Sequence, residues 1–338
     1  MASWREHQGW YWLSAMMPAA AIFAFLWDRP WWFLLCLITA ILLGDWLLGE
    51  HVEADGEEHF VTVISAAVPA AFICLWLSAI LTTVVRLRSV AVPEYAGLTA
   101  ACGVLSAFAM AHIHEILHRG GHRLRATSDI ALALAGYPHY RIVHDLHHAH
   151  TGDARYGSTA RLGLSLWRHI GNSLRLSLLA AFTHDRLRTA KGRKSRLIRP
   201  AAACIATLGV FGCLGGARGI LFYLGQSAIS VFIVETIGYI QHYGLVGTAH
   251  NREDALAWDV RFWLSNRLFL NNGLHTHHHF EQTRPYERLR FVGTAIPAGY
   301  LHMFILALVP PLWFLVMNRH VGVPSRPPHR MGEDEKQE

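Results

Sequence analysis

The chain has 338 residues, 52% of them hydrophobic and 16% charged, with 30 Lys and Arg against 24 Asp and Glu for a formal net charge of +6. Its apolar residues are bunched into long runs, which excludes an ordinary pair of soluble domains. The basic excess is concentrated in one segment, so it points to anionic lipid headgroups or an acidic protein and not to nucleic acid.

Six stretches are apolar enough to cross a hydrocarbon layer of about 30 Å, for which a helix needs about 20 residues. They run from about 11 to 27, 31 to 48, 60 to 85, 91 to 113, 199 to 216 and 218 to 240. The first is followed by Trp27, Asp28 and Arg29 rather than a small-residue cleavage site, so it is expected to stay as a span. Between the fourth and fifth, residues 119–199 carry fifteen Lys or Arg against four Asp, a bias that marks cytoplasmic segments. With the spans paired as hairpins, both termini and every histidine cluster then face the cytoplasm, and Arg86 and Arg88 fall on the opposite side, against the rule. A seventh apolar stretch, 292–316, contains Pro297, Pro310 and Pro311 and is expected to kink, lying at the interface or packing on the bundle.

Strand signals are almost absent, so the predicted fold is all-α: a polytopic membrane helical bundle of about six transmembrane helices. It forms a single membrane domain over 1–318, with a cytoplasmic helical cap from 119–199 and 242–291 that carries a histidine-rich two-metal site. The polar, proline-bearing tail 319–338 is expected to be disordered. The five cysteines form no CxxC pair, which excludes a thiolate zinc or iron–sulfur site by spacing.

Nine of the 23 histidines fall into four short clusters. In HEILH, His114 and His118 are four residues apart and project from one helical face. HDLHH places His144, His147 and His148 together at i, i+3 and i+4, and HTHHH repeats the arrangement with His275, His278 and His279, leaving His277 outside. His242 stands alone in QHYG just past the sixth span; a lone histidine is more often structural, but its place at the cytoplasmic end of a span favours a ligand. Nine imidazoles exceed what one ion can use. Imidazole suits Zn, Cu, Fe and Ni alike, but structural zinc closes at four ligands and catalytic zinc takes three plus water. Eight or nine nitrogens shared between two ions leave positions for dioxygen, which favours two irons beside a lipid-dissolved substrate.

Other readings compete. HExxH is also the zinc-protease signature, with Glu115 as base; that reading needs a third zinc ligand, and the later spans carry only Glu235. A metal transporter or haem cytochrome would place histidine near mid-membrane rather than at one face.

These residues resemble the integral-membrane di-iron family of fatty-acyl desaturases and, within it, the alkane and xylene monooxygenases. HEILH, HDLHH and HTHHH match the desaturase boxes HxxxH, HxxHH and HxxHH. GDWLLGE (44–50), STARLGLS (158–165), YIQHYGL (239–245) and HTHHHFEQTRPYERLR (275–290) are similar to further alkane monooxygenase stretches, and PAGYLHMFILALVPPLWFLVM (297–317) to their closing segment. The likeness covers about residues 31–318. Three departures stand out: HDLHH is one residue shorter than the alkane enzymes' HxxxHH, Gln241 replaces their glutamate, and His277 replaces an aspartate. They argue against strict long-chain alkane specificity.

The resemblance implies a non-haem di-iron centre on His114, His118, His144, His147, His148, His242, His275, His278 and His279. It also implies hydroxylation of a terminal or methyl C–H bond with O₂ at the cytoplasmic face of an inner membrane. Electrons would come from rubredoxin or ferredoxin and an NAD(P)H-dependent reductase. Asp45, Glu115, Asp145, Gln241 and Glu281 are candidates to orient the ligands or balance the metal charge, with a solvated surface role as the alternative for Asp145 and Glu281. Arg284, Arg288 and Arg290 are candidates to dock the electron carrier, or to anchor lipid. Trp46 and Leu42 are candidate channel residues, and the desaturase outcome is the nearest competitor to hydroxylation.

Overall fold

The computed structural model describes residues 5, 7–51, 62–119, 121–245 and 257–321; of the expected disordered tail, 322–338 lies outside them. In chain order the helices are α1 (Trp12–Leu26), α2 (Pro30–Leu48), α3 (Val63–Ala66), α4 (Val68–Val84), α5 (Val92–Arg119), α6 (His122–Leu134), α7 (Tyr140–Ala149), α8 (Leu166–Ala190), α9 (Ile198–His242), α10 (Trp263–Leu268), α11 (His275–Phe280), α12 (Tyr300–Ala307) and α13 (Pro310–Met317). Two short strands, β1 (Trp258–Asp259) and β2 (Thr294–Ala295), pair in parallel. The all-α expectation holds.

Among the described residues five helical runs are long and apolar enough to cross a membrane: Gln8–Leu26, Pro30–Leu48, Val63–Val84, Val92–Arg119 and Ile198–His242. The last spans 45 residues, which as a straight helix would be roughly 68 Å long, about twice the bilayer core. It is not straight. Gly216 sits at φ 63°, ψ −147°, a left-handed conformation that breaks the helix. Beyond it the chain doubles back, so that Phe211 stacks on Phe222 at 5.9 Å. Gly219 rests against the Phe211 carbonyl, where a Cβ would collide with backbone. The fifth and sixth expected spans are the two arms of this hairpin.

The connections at the Gly216 end are tied together by cations. Arg86 of the α4–α5 connection pairs with Asp28 of the α1–α2 connection at 2.5 Å. Arg88 donates to the Cys213 carbonyl at 2.9 Å, and Arg218 to that of Val90 at 2.7 Å. The two arginines that run against the charge rule therefore brace connections rather than stand free.

The central span is α5, most of whose apolar window is buried, whereas the other spans leave most of theirs exposed. Its sequence explains the position: Gly97, Ala101, Cys102, Gly103, Ser106, Ala107, Ala109 and Ala111 are all buried and small enough for neighbouring helices to approach closely. The outer helices turn Phe23, Trp32, Leu47, Leu81, Ile205 and Leu221 outward, an apolar exterior suited to lipid. Polar side chains cross-link the interior: Trp76 Nε1 donates to Ser106 Oγ at 3.1 Å, Ser106 Oγ to Gln226 Oε1 at 2.7 Å, and Gln226 Nε2 to the Leu134 carbonyl at 2.8 Å. The proline-broken seventh stretch becomes α12 and α13, interrupted at Val309, and α12 packs on α9 and α2.

Candidate metal centre

Four helices deliver the histidines to one end of the bundle: the last turns of α5 (His114, His118) and α9 (His242), and the short helices α7 and α11. The structure brings all nine together, in two groups. His114, His118, His144, His148 and His278 place one ring nitrogen each within 4.8 Å of one another, and His147, His242, His275 and His279 do the same. Helical geometry explains the division. At about 100° per residue, positions i and i+4 differ by about 40° while i+3 lies about 60° to the other side. Accordingly, α7 gives His144 and His148 to the first group and His147 to the second; α11 gives His275 and His279 to the second and His278 to the first.

The nitrogens converge closely. His144 Nε2 lies 2.7 Å from His118 Nε2 and 3.0 Å from His148 Nε2, which is 3.1 Å from His278 Nε2. In the second group His147 and His279 Nε2 are 3.1 Å apart. Burial, reinforced by neighbouring imidazoles, drives the His144, His275 and His279 rings far below the usual imidazole range, and His147 and His278 to about 3. The rings are therefore neutral at pH 7, with lone pairs available.

Small hydroxyls hold two rings by their other nitrogen. Ser158 Oγ is 2.5 Å from His147 Nδ1, and Thr151 Oγ1 is 3.1 Å from His279 Nδ1 while donating to the His147 carbonyl at 2.8 Å. Such contacts fix the tautomer that presents Nε2. Tyr140 stacks on His144 at 5.2 Å. The N-terminus of α11 is held by Asp259, which accepts from Thr276 N at 2.8 Å and Gly293 N at 3.0 Å. Burial pushes the Asp259 carboxyl up to about 6. None of Ser158, Thr151, Tyr140 or Asp259 was singled out from sequence, because their roles depend on contacts across 11 to 128 residues for the hydroxyls and on the β1–β2 pairing for Asp259.

The acidic candidates and Gln241 are engaged by partners other than the nine imidazoles. Asp45 is fully buried but accepts from Ser265 N and Oγ at 3.0 and 2.7 Å, bracing α10. Glu115 is bound by Arg119 at 2.8 Å, and Arg119 also approaches Glu287 at 3.5 Å. Asp145 pairs with Arg196 at 2.5 Å, and Glu281 with Arg284 at 2.7 Å and His277 Nε2 at 3.4 Å. Gln241 donates to Tyr300 Oη at 2.7 Å and to the Asn272 carbonyl at 3.2 Å. His277 stays outside both groups, its Nδ1 accepting from Arg290 N at 2.8 Å. Arg284, Arg288 and Arg290 are half-buried near α11, and Arg284 Nε donates to the Arg288 carbonyl at 2.8 Å.

A cavity of about 110 Å³ opens beside the histidines, reaching His114, His144, His147, His242 and His275 and walled by α5, α7, α8 and α9. Its apolar surface comes from Met110, Val143, Ile233, Val234 and Phe269. Trp46 does not line it; that side chain is 74% exposed on the outside of α2.

The donor set fits metal. His114 Nε2 is buried with no hydrogen-bond partner, a costly state for a polar atom, and His144 Nε2 faces two further ring nitrogens that single protons would not satisfy together. A cation in each group would resolve both. Neutral imidazoles gathered inside an apolar helical bundle define an integral membrane protein with a non-haem histidine centre.

The fatty acid desaturase family model matches residues 93–317, and the chain belongs to that family. It is 30% identical over 233 residues to alkane 1-monooxygenase 1 of Pseudomonas aeruginosa, covering 64% of this chain and 61% of that protein. It is 24% identical to alkane 1-monooxygenase of Pseudomonas putida, covering 94% and 86%. To the xylene/toluene monooxygenase hydroxylase component XylM of Pseudomonas putida it is 26% identical over 61% and 58%. The chain spans about three fifths of the length of the relatives it matches at 28–30% identity.

Proposed function

We propose that this protein is a membrane-bound, O₂-dependent hydroxylase that attacks an unactivated C–H bond of a lipophilic substrate. The observation that carries the reading is the joining of nine imidazoles, seven buried and those of His118 and His148 half-buried, in two groups, to a largely apolar cavity within a membrane-spanning bundle. Relatives bearing monooxygenase names support it. Two irons, one held by His114, His118, His144, His148 and His278 and the other by His147, His242, His275 and His279, would supply dioxygen reduction and the oxidising power for C–H cleavage. The chain's own residues do the rest. Ser158 and Thr151 lock rings of the second group. Asp259 fixes the start of α11, and with it three imidazoles. Met110, Val143, Ile233 and Phe269 hold the substrate chain and exclude water from the reacting carbon.

A substrate dissolved in the bilayer would enter laterally between spans, and electrons would arrive at the cytoplasmic face from a rubredoxin or ferredoxin served by an NAD(P)H-dependent reductase. Arg284, Arg288 and Arg290, half-buried near α11, are the candidates to dock that carrier. The protease reading is disfavoured by Glu115, which is tied to Arg119 rather than placed to activate water. The test is product analysis with purified, iron-loaded protein, a reductase system, O₂ and a mixture of octane, xylene and acyl lipids. An alcohol supports the proposal; an alkene would assign the centre to desaturation, and no oxidation of any substrate would refute an oxidative role.

A further inference from the structure

The cavity is not apolar throughout. Its wall also contains Glu235, 92% buried by its 8% residual exposure, within the α9 arm that ends at His242. Seven residues separate the two, two helical turns or roughly 10.5 Å along one face of α9, so both look into the same space. Tyr137 Oη donates to Glu235 Oε1, the Ser173 hydroxyl lies beside the same carboxylate, and Ser177 lines the wall next to them. Among the described residues no Lys or Arg pairs with Glu235, and the histidines nearby, His169 on the cavity wall and His139 beside Tyr137, are held neutral by burial, which lowers each to about 4.

A buried carboxylate without a cation is expensive, and a carboxylate has about four acceptor positions. Two hydroxyls leave it capacity for another donor from the cavity side. Nothing on a bare alkane can use that remaining capacity.

We propose that Glu235, with Tyr137 and Ser173, is a recognition subsite for a hydrogen-bond-donating head group, a hydroxyl or an ammonium, on an otherwise lipophilic substrate. The head group docks two helical turns from His242, and the chain runs along the apolar wall towards the imidazoles. This rests on the hydroxylase reading only in calling the occupant a substrate; the binding site stands on its own geometry. Such a subsite makes amphiphiles preferred over hydrocarbons and fixes which carbon is presented.

The test is equilibrium binding to the full-length protein in nanodiscs, in metal-free and iron-loaded forms, with octanol, octylamine, octyl methyl ether and octane as probes. The ether matches the alcohol in length but cannot donate. Octanol or octylamine is expected to bind at least tenfold more tightly than the ether and octane, the scale of one buried hydrogen bond. Glu235→Leu should bring all four probes within about threefold, and Glu235→Gln should abolish any preference for the amine while retaining that for the alcohol. If Glu235→Leu does not fold, Glu235→Gln and Tyr137→Phe carry the comparison, with Tyr137→Phe weakening the donor probes alone. Preference for the amine alone identifies an ammonium, and for the alcohol alone a hydroxyl. Equal binding of all four probes to wild type, or a preference that survives Glu235→Leu, overturns the subsite. A preference that holds while no substrate is oxidised overturns the hydroxylase reading instead.

Discussion

Removing the hydroxyl of Ser158 tests whether the nine imidazoles really act as two independent sets. Ser158→Ala deletes the 2.5 Å contact that holds His147 Nδ1, and Thr151→Ala the 3.1 Å contact that holds His279 Nδ1. Both rings belong to the four-imidazole group, and no imidazole of the five-membered group hydrogen-bonds either hydroxyl. A ligating ring that loses the partner on its other nitrogen turns more freely and populates the wrong tautomer, which typically weakens metal binding about 10- to 100-fold. That is about 1.4 to 2.8 kcal/mol. Thr151 also donates to the His147 carbonyl, so the two hydroxyls share one network and the double variant should lose less than the sum. In a competitive chelator titration, each single variant should release one metal equivalent 10- to 100-fold more readily and keep the other at the wild-type affinity. Equal weakening of both equivalents, or of neither, would refute the division into groups.

The Asp259 carboxyl titrates near 6, above its ordinary 3.8. Because the folded value is raised, the stability it contributes is complete below about 3.8 and lost as pH rises through 6. Relative to Asp259→Asn, the wild type should therefore lose about 2.4 kcal/mol between pH 4 and pH 7, read from unfolding midpoints in detergent; a constant difference would contradict the assignment. Gly219→Ala should destabilise the α9 hairpin by about 1 to 3 kcal/mol, whereas Gly209→Ala, which meets nothing within 4 Å, should be neutral by thermal unfolding. His277→Ala should retain full metal content and His278→Ala should lose an ion, measured by elemental analysis; matching losses would break the assignment of faces on α11.

The fold was largely legible because its causes are local. Hydrocarbon thickness sets span length, and Gly215, Gly216 and Arg218 interrupt the apolar run of α9 where the hairpin turns. The histidine spacings were legible for the same reason: i, i+3 and i+4 are fixed by helical pitch, so two H-x-x-H-H clusters declare ring directions before any tertiary contact is known. The carboxylates were not. Whether Asp45 serves an imidazole or Ser265 is decided by how α2 meets α10, across 220 residues, and Glu115 turns to Arg119 although it follows a histidine. Trp46 is exposed on α2, which contributes nothing to a cavity walled by α5, α7, α8 and α9. Ser158 carries no spacing signal of its own, and Glu235 in sequence is an isolated acid in an apolar span; spacing alone says nothing about which groups a cavity will bring together.

The most direct measurement is iron per chain in active, purified protein, compared with variants that each break one group. Wild type should contain two irons, His118→Ala and His275→Ala one each, and the combined variant none. A single ion in wild type, zinc in place of iron, or loss of all metal from either single variant would contradict two separately held irons.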